Sequence, residues 1–428
     1  MDFGSMLNKL KRDVMVVAHD TNAVHSRTQP PASKRAKQTK DDDTTHQTIT
    51  LSNQPPHTKS FPQTKVSKIY LISPSNVRTG GPEAMHQLCN QINSMTQNPS
   101  LSAYMLYLEE TNGTFQHIRF AKPLKAYSTI YPNLKVASET WDQEQEKVKV
   151  GVHDDQPHVP NQEYYYNDSL LIWPEVWTHL IDTCQGKFQH AIWWLSVNNN
   201  NGKFTQWERQ DILHLYQSEY AKQYILQHLN TIGNDGQQEH QQARVLRMTE
   251  YIPTRIALDH HHDVQRDLQV LYNPLKGMHY TDEIRKRSDK KITFTPIGGG
   301  PNGRERISYE QVKTMLHRAK IYLDFGPHPG MDRLPREAAL ANCIVITNRE
   351  GAAGFENDVP IPEDYKIGDF DVQRIHKLLM ECIQSYEEKK LDFDTYREWI
   401  ASQEDQMKIC VSELIDVLVT KRVIDKKS

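Results

Sequence analysis

At 428 residues the chain is too long for one small core and suits two or three domains. Its net charge of −3 and pI of about 6.7 argue against a dedicated nucleic-acid binder, which would carry a strongly basic face. The hydrophobic content is 37% with a mean hydropathy of −0.71, and no run approaches the about 18 continuous apolar residues of a bilayer span.

Residues 1–65 open with MDFGSMLNKLKRD, which lacks the apolar core of a signal peptide. A VMVVA run (Val14 to Ala18) is followed by Thr, Gln, Pro, Asp, Lys and His with few large apolar side chains. Such composition does not repay the entropy of ordering, so 1–65 reads as a flexible tail. Its basic cluster, Lys34 to Lys40, is a weak polyanion or targeting patch.

The folded body begins with KIYLIS, a strand from Lys68 to Ser73. The loop PSNVRTGGPE follows, then a helix pattern with Ala84, Leu88 and Ile92 on one face. Gly80 and Gly81 permit a sharp turn or a close backbone approach to a ligand, though they do not form the GxGxxG dinucleotide fingerprint. A second strand starts at Ser102 and TFQHIRF offers a third; the polar stretch 123–163 is an excursion. Further strand–helix units are DSLLIWPE with VWTHLIDTC, AIWWLSVNN, and ILHLYQSEYAKQYILQHL; ARVLRMTEYIP, Ala243 to Pro253, is the last strand of this half. Around 254–263 the texture turns charged, with His260, His261 and His262 adjacent; three neighbours cannot all face one metal on a regular element, so this is an exposed connection.

A second α/β set follows. Leu268 to Tyr272 is a strand, Asn273 to Gly277 a loop with Lys276 at its tip, and MHYTDEIRKRS a helix. KITFTPIGGGPNG is a strand ending in the glycines Gly298, Gly299 and Gly300; SYEQVKTMLHRAK is an amphipathic helix. Then comes IYLDFGPHPGMDRLPREAALANCIVITNRE, Ile321 to Glu350: strand, tight Gly/Pro loop, short helix, strand. Residues 371–421 read as helices with a break near 390. The expected domains are a tail (1–65), an N-terminal Rossmann-like domain (66–258), a C-terminal Rossmann-like domain (264–370) and C-terminal helices (371–428).

Two such domains bind ligands beyond their strand C-termini, in the cleft between them. The residues expected there are Gly80, Gly81, Asn198, Asn199 and Ser218 to Tyr220 from the first, and Lys276, Gly298, Gly299, His328, Gly330, Asp332, Arg333, Arg336 and Glu337 from the second. Glycines with lysine and arginine suit a diphosphate, because cations offset charge that develops on a leaving group. A plainer account makes Asp332 a helix cap, Arg336 a surface charge and Lys276 a solvated loop lysine. The five cysteines form no CxxC pair and are odd in number, so disulfide and zinc scaffolds are not expected. The compartment reads as reducing and cytoplasmic, with peripheral membrane contact left open. Cys343, opening a strand, is a small apolar filler.

The C-terminal half resembles retaining glycosyltransferases of the GT-B fold, the group 1 class. NPLKG, Asn273 to Gly277, resembles the segment with a phosphate-binding lysine; REAALANCIVITNREGA, Arg336 to Ala352, resembles the EA-x-A-x-G-x-P-V-V-x-T-x-x-G-G block. SPSNVRTGGPEAMHQL resembles the glycine-rich loop at the cleft, and DFGxHPGxDRxPREAA marks a variant subset. The resemblance spans residues 66–390. It implies transfer of a sugar from a UDP-, GDP- or other nucleotide-linked donor to a glycan or lipid-linked acceptor, with retention and no metal or other cofactor. Lys276 would hold the diphosphate, Gly81 would lie beside it, and Glu337 would hold the ribose. The first glutamate of the family's pair falls at Pro329, a departure that moves its role to Asp332 or His328, or signals an inactive relative. The lysine's usual basic partner is also missing at 271–273, so Arg333 or Arg336 would substitute. A binding-only protein of this fold and another sugar-nucleotide enzyme are the competing readings.

Overall fold

The structure, a computed structural model, describes residues 66–74, 78–96, 101–108, 110–111, 114–115, 125–137, 168–183, 188–209, 211–230, 244–253, 264–288, 290–300, 303 and 305–419. The expected tail, the excursion beyond residue 137 and the three adjacent histidines lie outside them.

In chain order, β1 (Lys68–Pro74) leads to α1 (Gly80–Met95) and β2 (Ser102–Leu108). A minor hairpin, β3 (Glu110–Thr111) with β4 (Thr114–Phe115), and α2 (Lys125–Ile130) follow. Then come β5 (Ser169–Pro174), β6 (Gln189–Trp194), β7 (Ile212–Tyr216), α3 (Glu219–Asn230) and β8 (Val245–Arg247). The six main strands form one parallel sheet in the order β2-β1-β5-β6-β7-β8. Its central strands are buried throughout, as in β5 and β6, because helices cover both faces of such a sheet.

The second sheet is also parallel, in the order β10-β9-β11-β12-β13. It comprises β9 (Leu268–Tyr272), α4 (Met278–Arg287), β10 (Phe294–Pro296), α5 (Tyr309–Arg318), β11 (Ala319–Asp324), α6 (Arg333–Leu340), β12 (Ile344–Asn348) and β13 (Lys366–Ile367). A capping box starts α5: the Gln311 N–H donates to Ser308 Oγ, and the Gln311 side chain accepts from the Ser308 N–H. The chain ends in α7 (Val372–Gln384), α8 (Tyr386–Lys389) and α9 (Asp394–Val419).

Both sheets belong to one compact unit. Helix α9 serves both cores: Tyr396 and Ile400 pack into the core of the second sheet, and Met407, Cys410, Val411, Leu414 and Leu418 into that of the first. Two parallel α/β sheets followed by C-terminal helices, the arrangement the strand–helix grammar implies, constitute the GT-B-like architecture that the resemblance implies. Four local readings shift. Helix α1 starts at Gly80, so the glycines form its first turn rather than the loop before it. The segment after β5 is a 3-10 helix, Glu175–Thr183, broken where Trp177 leaves helical dihedrals. Only Val245–Arg247 of the Ala243 to Pro253 run pairs as a strand. Ala319, inside the SYEQVKTMLHRAK helix pattern, instead opens β11.

Candidate functional site

Strand order reverses between β1 and β5 in the first sheet and between β9 and β11 in the second. Loops diverge at such points and leave a crevice beyond the strand C-termini. A cavity of about 390 Å³ lies there, lined from the first sheet by Thr79, Gly80, Gly81, Leu195, Gln217 and Glu250. The second contributes Asn273, Lys276, Asp324, Met331, Asp332 and Arg333.

Loop 325–332 reaches across to the first sheet's loops. The Val197 N–H donates to the Pro329 carbonyl at 3.0 Å, and the Met331 N–H to Gln217 Oε1 at 3.3 Å. Gly330 lies so close to Leu195 that a Cβ would collide with its carbonyl oxygen. Gly277, at φ 56°, gives the chain its left-handed step from the Lys276 loop into α4.

The Lys276 ammonium stands at the centre of one cluster. It donates to Asp324 Oδ2 at 2.9 Å and Asp332 Oδ2 at 2.5 Å, and lies 3.2 Å from His328 Nδ1. Burial alone would lower its pKa, but the two carboxylates outweigh that and hold it above the ordinary lysine value. His328 moves the other way: burial first, then the adjacent ammonium, lowers its pKa and keeps the ring neutral. Asp332 does hold the N-cap position of α6, but its side chain makes no capping hydrogen bond and pairs with Lys276.

A second cluster surrounds Arg333, which lies 3.2 Å from Glu250, 3.4 Å from Glu83 and 3.6 Å from Glu337. These carboxylates, Glu83 first, overcome the desolvation of the guanidinium and raise its pKa. Arg336 is buried, pairs with Glu250 and donates to the Met331 carbonyl at 2.7 Å. Glu337 does not line the cavity; it approaches through Arg333, and burial raises its pKa. Tyr131 donates to Glu83 Oε1 at 3.0 Å.

Of the residues expected here, Gly80, Gly81, Asn199, Lys276, Asp332 and Arg333 line the cavity, and His328, Gly330, Arg336 and Glu337 support its wall. Gly298 and Gly299 are elsewhere: their loop folds on itself through paired backbone hydrogen bonds between Gly299 and Glu305. Ser218 caps α3, whose first N–H groups, Glu219 and Tyr220, donate to Asp358. Sequence reasoning missed Glu83, Glu250 and Asp324. Asp324 carried a signal, a lone acid closing an apolar strand at a switch point; Glu83 and Glu250 carried none.

Glu175, at the end of β5, accepts from the Leu195 N–H at 3.3 Å beneath the cavity wall. Burial raises its pKa to about 7. Because the folded value exceeds the unfolded one, its contribution to stability is complete below about pH 4.5 and is lost as pH rises through 7. Glu175→Gln is therefore expected to raise stability at pH 8 by on the order of 3 kcal/mol and leave it unchanged at pH 4. Urea melts at the two pH values check this; equal shifts at both would remove the carboxylate's titration as the cause.

This architecture is a GT-B glycosyltransferase-like fold. Among solved structures, HepE of Anabaena in complex with UDP and glucose aligns with a TM-score of 0.54 at 10% identity, covering 82% of this chain and 100% of that one. OtsA, trehalose-6-phosphate synthase, aligns with a TM-score of 0.51 at 9% identity over 83% of this chain and 100% of its own. Its apo structure gives 0.53 at 10% identity over 84% and 100%. No protein-family model and no curated protein sequence matches the chain. Among the described residues no helix is long and apolar enough to cross a membrane.

Proposed function

We propose that the protein is a glycosyltransferase that moves a sugar from a nucleoside diphosphate sugar to a hydroxyl of a glycan or lipid-linked acceptor, with retention. The observation that carries this reading is the convergence of Lys276 and Arg333 on one cavity at the switch points of two facing Rossmann-like sheets. HepE, of the same fold, holds UDP and glucose, which supports a nucleotide sugar as the ligand class.

In this reading the Asp332 carboxylate stands in for a phosphate. Its side chain is 25% exposed against 1% for Asp324, so Asp332 is the partner free to yield Lys276 to an incoming diphosphate. The first turn of α1, at Gly80 and Gly81, offers N–H groups with no side chain in the way. Glu337, outside the cavity lining, is assigned to the ribose hydroxyls on condition that it parts from Arg333 as the donor enters. As the bond from the anomeric carbon to the diphosphate oxygen breaks, Lys276 offsets the charge left on that oxygen. The new bond forms to the acceptor oxygen on the same face, and the acceptor proton passes to the departing diphosphate.

Isothermal titration of the full chain with UDP, GDP and ADP tests the binding step, and release of nucleoside diphosphate from a panel of nucleotide sugars tests turnover. One nucleotide binding at micromolar to millimolar strength, with turnover of its sugar, is expected. No binding of any of the three at millimolar concentration would count decisively against the proposal. Pro329, in place of an expected glutamate, favours a second reading, a binding protein without turnover; binding with no released diphosphate for any sugar would select it.

A further inference from the structure

The cations at the cavity wall are already matched. Lys276 lies between Asp324 and Asp332, Arg333 among Glu83, Glu250 and Glu337, and Arg336 against Glu250. When Asp332 yields to a ligand, a single ammonium is released. A diphosphate brings more negative charge than that ammonium offsets, and charge enclosed without a partner is costly. Arg333 and Arg336, expected to assist the lysine, are spent on carboxylates.

Another cation stands at the rim. Arg78 immediately precedes Thr79, Gly80 and Gly81, which line the cavity. It is exposed, and among the described residues no carboxylate pairs with it. Its guanidinium lies over the Tyr309 ring, 4.9 Å from the centroid. Arg78 leads into α1 of the first sheet and Tyr309 opens α5 of the second, so the contact crosses between the sheets. Burial raises the pKa of Tyr309 and of Tyr127; beyond burial, both hydroxyls feel the charges of Glu83, Arg333 and Arg78, which puts Arg78 in the same patch as the Arg333 cluster. A guanidinium seated by its face keeps the N–H groups of its edge for another partner, and that fork matches two oxygens of a phosphate.

We propose that Arg78 binds a phosphate group of the substrate held in this cavity, and that Tyr309 is the positioning residue that seats its guanidinium across the rim. The pair supplies from the edge the charge that the matched cations of the wall withhold. The substrate's identity rests on the proposed function. The phosphate belongs to the donor diphosphate or to a phosphorylated acceptor; the chemistry is the same, and titration separates the two.

Isothermal titration of the full chain uses three probes: pyrophosphate, the best binder among UDP, GDP and ADP, and inorganic phosphate added to that nucleotide complex. Where the donor supplies the phosphate, Arg78→Met is expected to weaken pyrophosphate and nucleotide binding at least about tenfold. Where the acceptor does, nucleotide binding stays at the parental level and phosphate binding to the complex is lost. Arg78→Lys should recover part of the loss, because it keeps the charge without the fork. Tyr309→Leu should weaken the same step about threefold, and Tyr309→Phe, which keeps the ring, should not. Arg78 is exposed, so its variants should melt with the parent; should they not, the contrast between Tyr309→Leu and Tyr309→Phe decides, and equal affinity of those two overturns the proposal. Equal affinity of parent and folded Arg78→Met for all three probes, or no binding of any, also overturns it. Arg78-dependent binding of pyrophosphate without binding of any nucleotide keeps the anion site and removes the nucleotide reading, whereas nucleotide binding with no Arg78-dependent step does the reverse.

Discussion

Lys276→Ala is expected to lower kcat/KM for sugar transfer by about a hundredfold, the usual scale for removing one preorganised electrostatic donor. The amine is held between Asp324 and Asp332 at 2.9 and 2.5 Å before any ligand arrives, so its position is set in advance. A donor diphosphate replaces only the more exposed of those carboxylates. Alanine removes the charge and leaves Asp324, 1% exposed, without its cation, so the melting temperature should fall as well. Steady-state kinetics on folded variant, with the melt recorded beside it, separates the two losses. Parental kcat/KM would place the diphosphate elsewhere.

Arg333→Ala should have the largest effect on stability, a loss of about 3–5 kcal/mol, as when one partner of a buried charge network is removed. Glu83 and Glu250 approach the guanidinium from the first sheet's side, and Glu337 from its own helix. Without it, among the described residues Arg336 alone pairs with Glu250, and Glu83 and Glu337 keep no cation at these distances. The deficit should shrink as pH falls toward 4, where Glu337, its pKa raised by burial, takes up a proton more readily than in the unfolded chain. Urea midpoints of parent and variant at pH 7.5 and 4.5 check both statements. A loss below about 0.5 kcal/mol at pH 7.5, the range of an ordinary surface substitution, would show that the network adds nothing.

The parts of the fold legible in the sequence were those where local pattern and tertiary role agree. Residues 321–350 read as strand, loop, helix and strand because a buried apolar run, a Gly/Pro loop and a second apolar run leave little else. Segments governed by distant contacts were harder. The run after Pro174 has helical periodicity, yet Trp177 departs from the helix and the span is 3-10. Gly298 and Gly299 look like a phosphate cradle in composition, but the loop satisfies its own backbone through Glu305. At the site, the cations were legible because lysine and arginine beside glycines suggest phosphate. Of their acidic partners, Asp332 and Glu337 were legible but Glu83 was not: in the first turn of α1 it is what any helix start favours, and its meeting with Arg333 spans 250 residues of chain.

Helix α9 sets a condition on how the protein must be made. Its first turns complete the interior of the later sheet and its last turns that of the earlier one, while the Val66 N–H donates to the Leu418 carbonyl. The earlier sheet is translated well before the helix that seals it, so on the ribosome it waits with an open apolar flank. Cutting the gene between the sheets would yield an amino-terminal fragment lacking its lid and a carboxyl-terminal fragment with a greasy, unclaimed tail; mixing the two should restore what neither half holds alone.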